Sequence, residues 1–178
     1  MNSPEIIWEK EVHKGWLRIL KRRIKHPNGG IQDYEIVNPD SHSVSALVLD
    51  RRGNVVLLEL YRFGQQQRLL ELPAGGVEQG ESYLQAIERE ILEETGYEGE
   101  LTAVGQHFIA AEHGVTRHVF VAQNCVQVAE PQPEQSEIDE GAVVRILPLK
   151  EFLTVVRAGK LTETGAAFMA LDYLNLLN

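Results

Sequence analysis

The chain has 178 residues, 43% of them apolar and 24% charged, with 17 basic against 26 acidic side chains and a formal net charge of −9. One cysteine, Cys125, excludes an internal disulfide framework, and no apolar run approaches the roughly 18 residues of a membrane span. The acidic balance repels a phosphate backbone and only Lys21-Arg22-Arg23 is basic, so no DNA or other nucleic-acid partner is expected, while the length suffices for a sizeable core.

Residues Met1 to Lys10 hold Glu5, Trp8 and Glu9 without a continuous apolar core, so no secretory signal is expected and the cytoplasm is the default location. Strands are predicted at Trp16 to Lys25 and, after the turn signal Pro27-Asn28-Gly29-Gly30, at Gln32 to Val37. Ser43 to Leu49 and Asn54 to Tyr61 read as a hairpin joined through Asp50-Arg51-Arg52-Gly53. A helix follows from Ser82 to Thr95, then strands at Leu101 to Ile109 and Val115 to Ala122. Glu130 to Glu140 is acidic and proline-broken, an internal loop, before a strand at Gly141 to Leu147 and helices at Lys150 to Arg157 and Thr162 to Leu176. No repeat or linker divides the chain, which reads as one domain over 1–178 of α/β (α+β) class, a mixed sheet packed between helices.

The Ser82 helix carries the chemistry. Ser82 and Gln85 fit a capping box and Gly96 a left-handed C-terminal cap, so both ends are defined. At about 100° per residue, Leu84, Ile87, Ile91 and Thr95 form a stripe expected to face the core. Glu90, Glu93 and Glu94 converge on the last turns, where like charges repel and the negative end of the helix dipole adds to the penalty. A divalent cation removes that conflict, and Mg²⁺ favours one or two carboxylates together with water and phosphate oxygens. The alternative is a solvated acidic face partly neutralised by Arg89.

Just before the helix, Glu71-Leu72-Pro73-Ala74-Gly75-Gly76 is a tight segment in which main chain can approach an ion closely. Gly75, Glu81 and the run Arg89-Glu90-Ile91-Leu92-Glu93-Glu94-Thr95-Gly96-Tyr97 together resemble the box of the Nudix hydrolase family, with Tyr97 a mild departure at the last apolar position. The resemblance implies an α/β/α sandwich that holds one to three divalent ions, Mg²⁺ or Mn²⁺, against a diphosphate. It makes Glu90, Glu94 and Glu93 metal ligands together with the Ala74 carbonyl. Glu93 and Glu94 then serve catalysis, Arg89 orients them, and Gly75 and Glu81 support the site. Water activated by the metal would attack one phosphorus of a nucleoside diphosphate linked to a second group. One branch of the family takes a base from an acidic loop; here that loop offers Glu137, Asp139 and Glu140, of which Glu140 sits nearest the next strand, and a box glutamate is the alternative.

Leu60-Tyr61-Arg62-Phe63-Gly64 followed by Glu71-Leu72-Pro73-Ala74-Gly75 resembles the ADP-ribose and nucleotide-sugar pyrophosphatase branch, as does the extension over 1–42, which there adds strands and helps build a homodimer. Arg62 and Glu71 become substrate contacts on this basis, and Glu112 and Arg117 fall where specificity is set. A proline that ADP-ribose enzymes often carry about sixteen residues past the box is absent, since that position reads Glu112-His113-Gly114. The implied substrate is ADP-ribose, cleaved to AMP and ribose 5-phosphate, with GDP-mannose or another nucleotide sugar as the alternative. A nucleotide-binding sensor without turnover is the reading from a different class.

Overall fold

The computed structural model describes residues 3–177. Two units emerge, one formed by residues up to His42 with Phe108–Thr116, the other by Ser43–His107 with residues from Arg117 onward. In the first unit, β1 (Glu5–Lys14), β2 (Arg18–Lys25) and the first part of β3 (Ile31–Asp50) make an antiparallel ladder, in register from Glu5 opposite Lys25 and from Ile19 opposite Val37. The β2–β3 turn is the expected one, with Gly29 at φ 86°. The β1 strand was not expected: its ten residues are nearly all exposed, so no burial pattern marks it. Cross-strand charge pairs hold it instead, Arg22 Nε to Glu9 at 2.5 Å and Arg18 Nε to Glu11 at 2.6 Å. Trp16, expected inside a strand, lies in the β1–β2 turn and is 96% exposed. The basic run is spent within this ladder, since Arg23 and Lys21 both pair with Asp33.

In the second unit, the latter part of β3 pairs antiparallel with β4 (Val55–Arg62) and with the short β6 (Ala74–Gly76). Strand β4 also pairs with β5 (Gln67–Glu71) and β9 (Val143–Leu147), and β7 (Tyr97–Phe108) with β8 (His113–Gln127). Alternation along these strands feeds two cores, as a pleated sheet covered on both faces requires. Leu47, Leu57, Val119 and Val121 pack with Phe152 of α3 (Leu149–Arg157) and Ala166, Ala167 and Ala170 of α4 (Thr164–Tyr173). Val44, Ala46, Val48, Val56 and Phe120 pack on the other face with Ala86, Ile87 and Ile91 of α1 (Tyr83–Thr95). The result is a mixed α+β fold in which helices cover both faces of this sheet. No helix among the described residues is long and apolar enough to cross a membrane.

Several boundaries differ from the sequence expectation for identifiable reasons. Gln32–Val37 and Ser43–Leu49 lie in one continuous strand, within which Asn38 and Asp40 take positive φ. Strands β5 and β6 escape periodicity because each is short and they flank Pro73, which donates no amide. The Glu130–Glu140 loop contains a one-turn helix, α2 (Gln135–Asp139). Helix α1 matches closely: Ser82 caps it, the box with Gln85 is present, and Gly96 closes it at φ 74°. Leu84, expected in the core, is 45% exposed; the buried stripe runs through Ala86, Ile87, Ile91, Glu94 and Thr95. A carboxylate therefore occupies a core-facing position.

A Cβ on Gly96 would stand 2.1 Å from the Ala129 carbonyl oxygen, and the residue is left-handed. Gly96→Ala is expected to lower the unfolding free energy by more than about 1 kcal/mol, the left-handed penalty alone, as measured by urea denaturation.

Candidate active site

Arg89 organises the outer side of α1. Its Nε and Nη2 donate to Glu81 at 3.0 and 3.2 Å, its Nη1 to Glu90 at 2.8 Å and Glu93 at 3.1 Å, and its Nη2 to the Gly76 carbonyl at 3.1 Å. One guanidinium thus ties the glycine segment, the turn before the helix and the helix itself. These hydrogen bonds hold the Glu81 carboxyl below its usual range.

Glu90 presses against the turn: a Cβ on Gly75 would fall 1.9 Å from its Oε1, so only glycine leaves room there. Burial raises the Glu90 carboxyl despite Arg89 beside it. Glu94, 5% exposed, accepts the Ala74 amide at 3.1 Å. Burial pushes its carboxyl well above the usual range, and the negative charge of Glu137 adds to this. Three carboxyls, Glu90, Glu94 and Glu137, therefore crowd beside the Ala74–Gly75 turn, and Glu93 lies at their exposed edge, 42% accessible.

Among the loop acids, Glu137 reaches this cluster. Its Oε2 also accepts the Glu134 amide at 2.8 Å, so the single turn of α2 sets its direction. Glu140 is engaged elsewhere: its carbonyl accepts the Tyr61 amide at 2.9 Å and its carboxylate takes Arg62 Nη1 at 2.8 Å. Arg62 forks onto Glu71 as well, through Nε at 2.7 Å and through Nη2. Glu71 is 5% exposed, so the fork satisfies a buried carboxylate and raises the Arg62 guanidinium. Arg117 donates to Ser43 Oγ at 3.2 Å and to Glu163 at 3.1 Å. Glu112 belongs to the first unit, exposed, with its carbonyl accepting the Val37 amide. Of the residues favoured from sequence, Ala74, Gly75, Glu81, Arg89, Glu90, Glu93 and Glu94 come together, Arg62, Glu71 and Glu140 form an adjoining network, and Arg117 joins Glu163.

The model of the NUDIX domain matches residues 40–170. The chain belongs to the Nudix family. An ADP-ribose pyrophosphatase of Bacillus subtilis (strain 168) is 30% identical over 159 residues, covering 86% of this chain and 82% of that protein. A methanol dehydrogenase activator of Bacillus methanolicus is 35% identical over 166 residues, 89% of this chain and 86% of the relative. The crystal structure of an ADP compounds hydrolase superposes with TM-score 0.81 at 20% identity, covering 98% of this chain and 96% of that one, which shows the shared fold. The Nudix chain is a hydrolase, and hydrolases of this family generally use divalent metals.

The donor set suits such an ion. Glu90, Glu94 and Glu137 offer oxygen alone, and burial raises the Glu90 and Glu94 carboxyls, a penalty that a divalent cation would offset. Among the described residues no three acidic, His or Cys side chains form a ready-made cage.

Glu71 is left buried without its partner when Arg62 is removed, a change that costs about 3–5 kcal/mol in a fully buried pair. Because Arg62 is 37% exposed, Arg62→Ala is expected to destabilise by only about 2 kcal/mol, read by chemical denaturation. Faster amide exchange at Tyr61 and across α2 should accompany it.

Proposed function

We propose that the chain is a Mg²⁺-dependent pyrophosphohydrolase that converts ADP-ribose to AMP and ribose 5-phosphate, Mn²⁺ serving in place of Mg²⁺. The observation that carries this reading is the placement of Glu90 and Glu94 against the Ala74–Gly75 turn, Glu94 accepting the Ala74 amide and Glu90 filling the space a Cβ on Gly75 would need. Relatives named ADP-ribose pyrophosphatase in Bacillus subtilis and Mycobacterium tuberculosis supply the substrate.

Glu90, Glu94 and the Ala74 carbonyl would hold the divalent ion, with Glu93 as the exposed third carboxylate. The ion, when bound, offsets phosphoryl charge and lowers the pKa of attacking water. Arg89 keeps Glu90 and Glu93 in place, with Glu81 steadying Arg89 and Gly75 leaving space for Glu90. Glu137 takes the proton as water oxygen bonds to phosphorus and the bridging P–O bond breaks, releasing one product as a phosphate. Glu140 anchors the Glu137 turn to Arg62. Three of the five guanidinium donors of Arg62 are spent on Glu71 and Glu140, and the others serve a substrate phosphate. Metal, rather than a net charge of −9, then draws in the anion.

The first unit supports a homodimer. Strand β1 is at the edge of its ladder, and Ile6, Ile7, Val12 and Ile31 are 53%, 45%, 50% and 61% exposed. Exposed apolar side chains beside an open strand edge favour a protein contact, and a second copy is the partner we assign; Glu112, in the same unit, is placed with the specificity determinants. One domain over 1–178 remains our organisation of the chain, and the single buried cysteine fits a cytoplasmic location. The methanol dehydrogenase activator at 35% identity favours a second reading, action on a dehydrogenase or its nucleotide.

Mg²⁺-dependent turnover of ADP-ribose, GDP-mannose, UDP-glucose, NADH and nucleoside triphosphates, with products separated by chromatography, tests the assignment. ADP-ribose is expected to lead; preference for NADH would favour the second reading, and a leading hexose nucleotide would move the substrate. Glu94→Gln and Glu137→Gln should each lower kcat by at least about 100-fold, the usual range for acid–base and metal groups, with the fold intact by circular dichroism. EDTA should abolish turnover and Mg²⁺ restore it. Sedimentation equilibrium should give twice the 20.0 kDa chain mass, and a concentration-independent 20.0 kDa species would sink the dimer.

A further inference from the structure

The turn that presents Ala74 lies between two strands, and its first amide has no ladder partner of the ordinary kind. Strand β5 stops at Glu71, and Leu161 and Thr162 run beside its end: Leu70 bridges Leu161 in parallel, and Thr162 donates its amide to the Leu70 carbonyl at 3.3 Å. One step on, where a backbone carbonyl would continue this pairing, the side chain of Glu163 substitutes. Its Oε2 accepts the Leu72 amide at 3.2 Å. Glu163 occupies the N-cap position of α4, yet its carboxylate makes no cap bond there. Its other oxygen takes Arg117 Nη1 at 3.1 Å, with the two side chains 10% and 18% exposed.

Arg117 carries the brace to the far end of the same segment. Its Nε donates to Ser43 Oγ at 3.2 Å, and Ser43 stands opposite Gly76 in the β3–β6 register. One ion pair therefore spans the turn from Leu72 to the strand partner of Gly76. Between those ends, Pro73 has no amide to donate, its carbonyl accepts the Ala46 amide at 3.0 Å, and the Ala74 amide goes to Glu94 at 3.1 Å.

We propose that Glu163, steadied by Arg117, is a positioning residue that fixes the Leu72–Gly76 segment so that the Ala74 carbonyl and Glu90 meet the divalent ion in register. This rests on the metal role given to Ala74 above. Groups that hold a metal ligand in place without touching the ion typically change affinity or activity by about 10–100-fold when removed.

The test is Mn²⁺ binding to the full chain without substrate, followed by isothermal titration, with thermal melts and ADP-ribose turnover alongside. Glu163→Ala is expected to raise the Mn²⁺ Kd by about tenfold and to speed exchange of the Leu72 amide. Glu163→Gln, which retains a carbonyl oxygen for that amide, should stay within about threefold of the parent, well inside that range. Glu163→Asp keeps the charge but is one methylene short of Leu72, and it should share the alanine defect; it decides the matter if Glu163→Ala does not fold. A folded Ala or Asp variant with unchanged Mn²⁺ affinity overturns the proposal. A parent chain that binds Mn²⁺ yet cleaves no ADP-ribose removes the substrate reading alone, and one that binds no Mn²⁺ overturns both.

Discussion

Everything in this structure is arranged around carboxylates that repel one another. Glu94 is 5% exposed and faces the core from the last turn of α1, where the helix dipole is already negative. Glu90 lies one turn before it and Glu137 approaches from a separate element. Protonation or a cation relieves such a conflict, and burial raises both helix carboxyls. Apolar packing supplies the opposing free energy, since Ala86, Ile87 and Ile91 on the same helix are almost fully buried against the sheet. The helix is thereby anchored on one side and strained electrostatically on the other. Such local conflict within a well-packed frame is what a binding site for a cation requires.

The frame also decides which carboxyls belong to the cluster. Arg89 neutralises Glu81 and Glu93 and leans on Glu90, but it does not touch Glu94. Arg62 takes up Glu71 and Glu140 in the same manner. Each arginine takes up negative charge in the neighbourhood, Glu90 included, whereas the polar partner shown for the Glu94 carboxylate is the Ala74 amide. The acidic total of the chain is thus misleading as a guide to local potential, because many carboxylates are already spent in pairs.

Much of this was legible in the sequence, and the parts that were not share a cause. The α1 boundaries followed from Ser82, Gln85 and Gly96, because caps are local chemistry. The glycine at position 75 followed from the box, and its reason is visible only in the structure, where Glu90 Oε1 lies 1.9 Å from the place a Cβ would take. Strand β1 was hidden because cross-strand ion pairs rather than burial stabilise it. Glu140, favoured from sequence because it sits nearest the next strand, and Glu137 have different partners, and the α2 turn that points them apart is disguised as loop by its proline-rich flanks. Glu163 carried no sequence signal, since an acidic residue at a helix start reads as a favourable dipole partner and nothing more.

A consequence concerns how precision is distributed. The Ala74 turn is held by its amide, by the Pro73 carbonyl and by the Leu72 amide, each bonded to a different element: α1, β3 and the segment leading into α4. A three-residue turn tied to three elements has little freedom to follow any one of them. Glu137 is held differently, by a single helical turn whose end is fastened through Glu140 to Tyr61 and Arg62. The Ala74 side of the cluster is thus cross-tied to three elements, whereas the Glu137 side depends on one helical turn and the two bonds at its end.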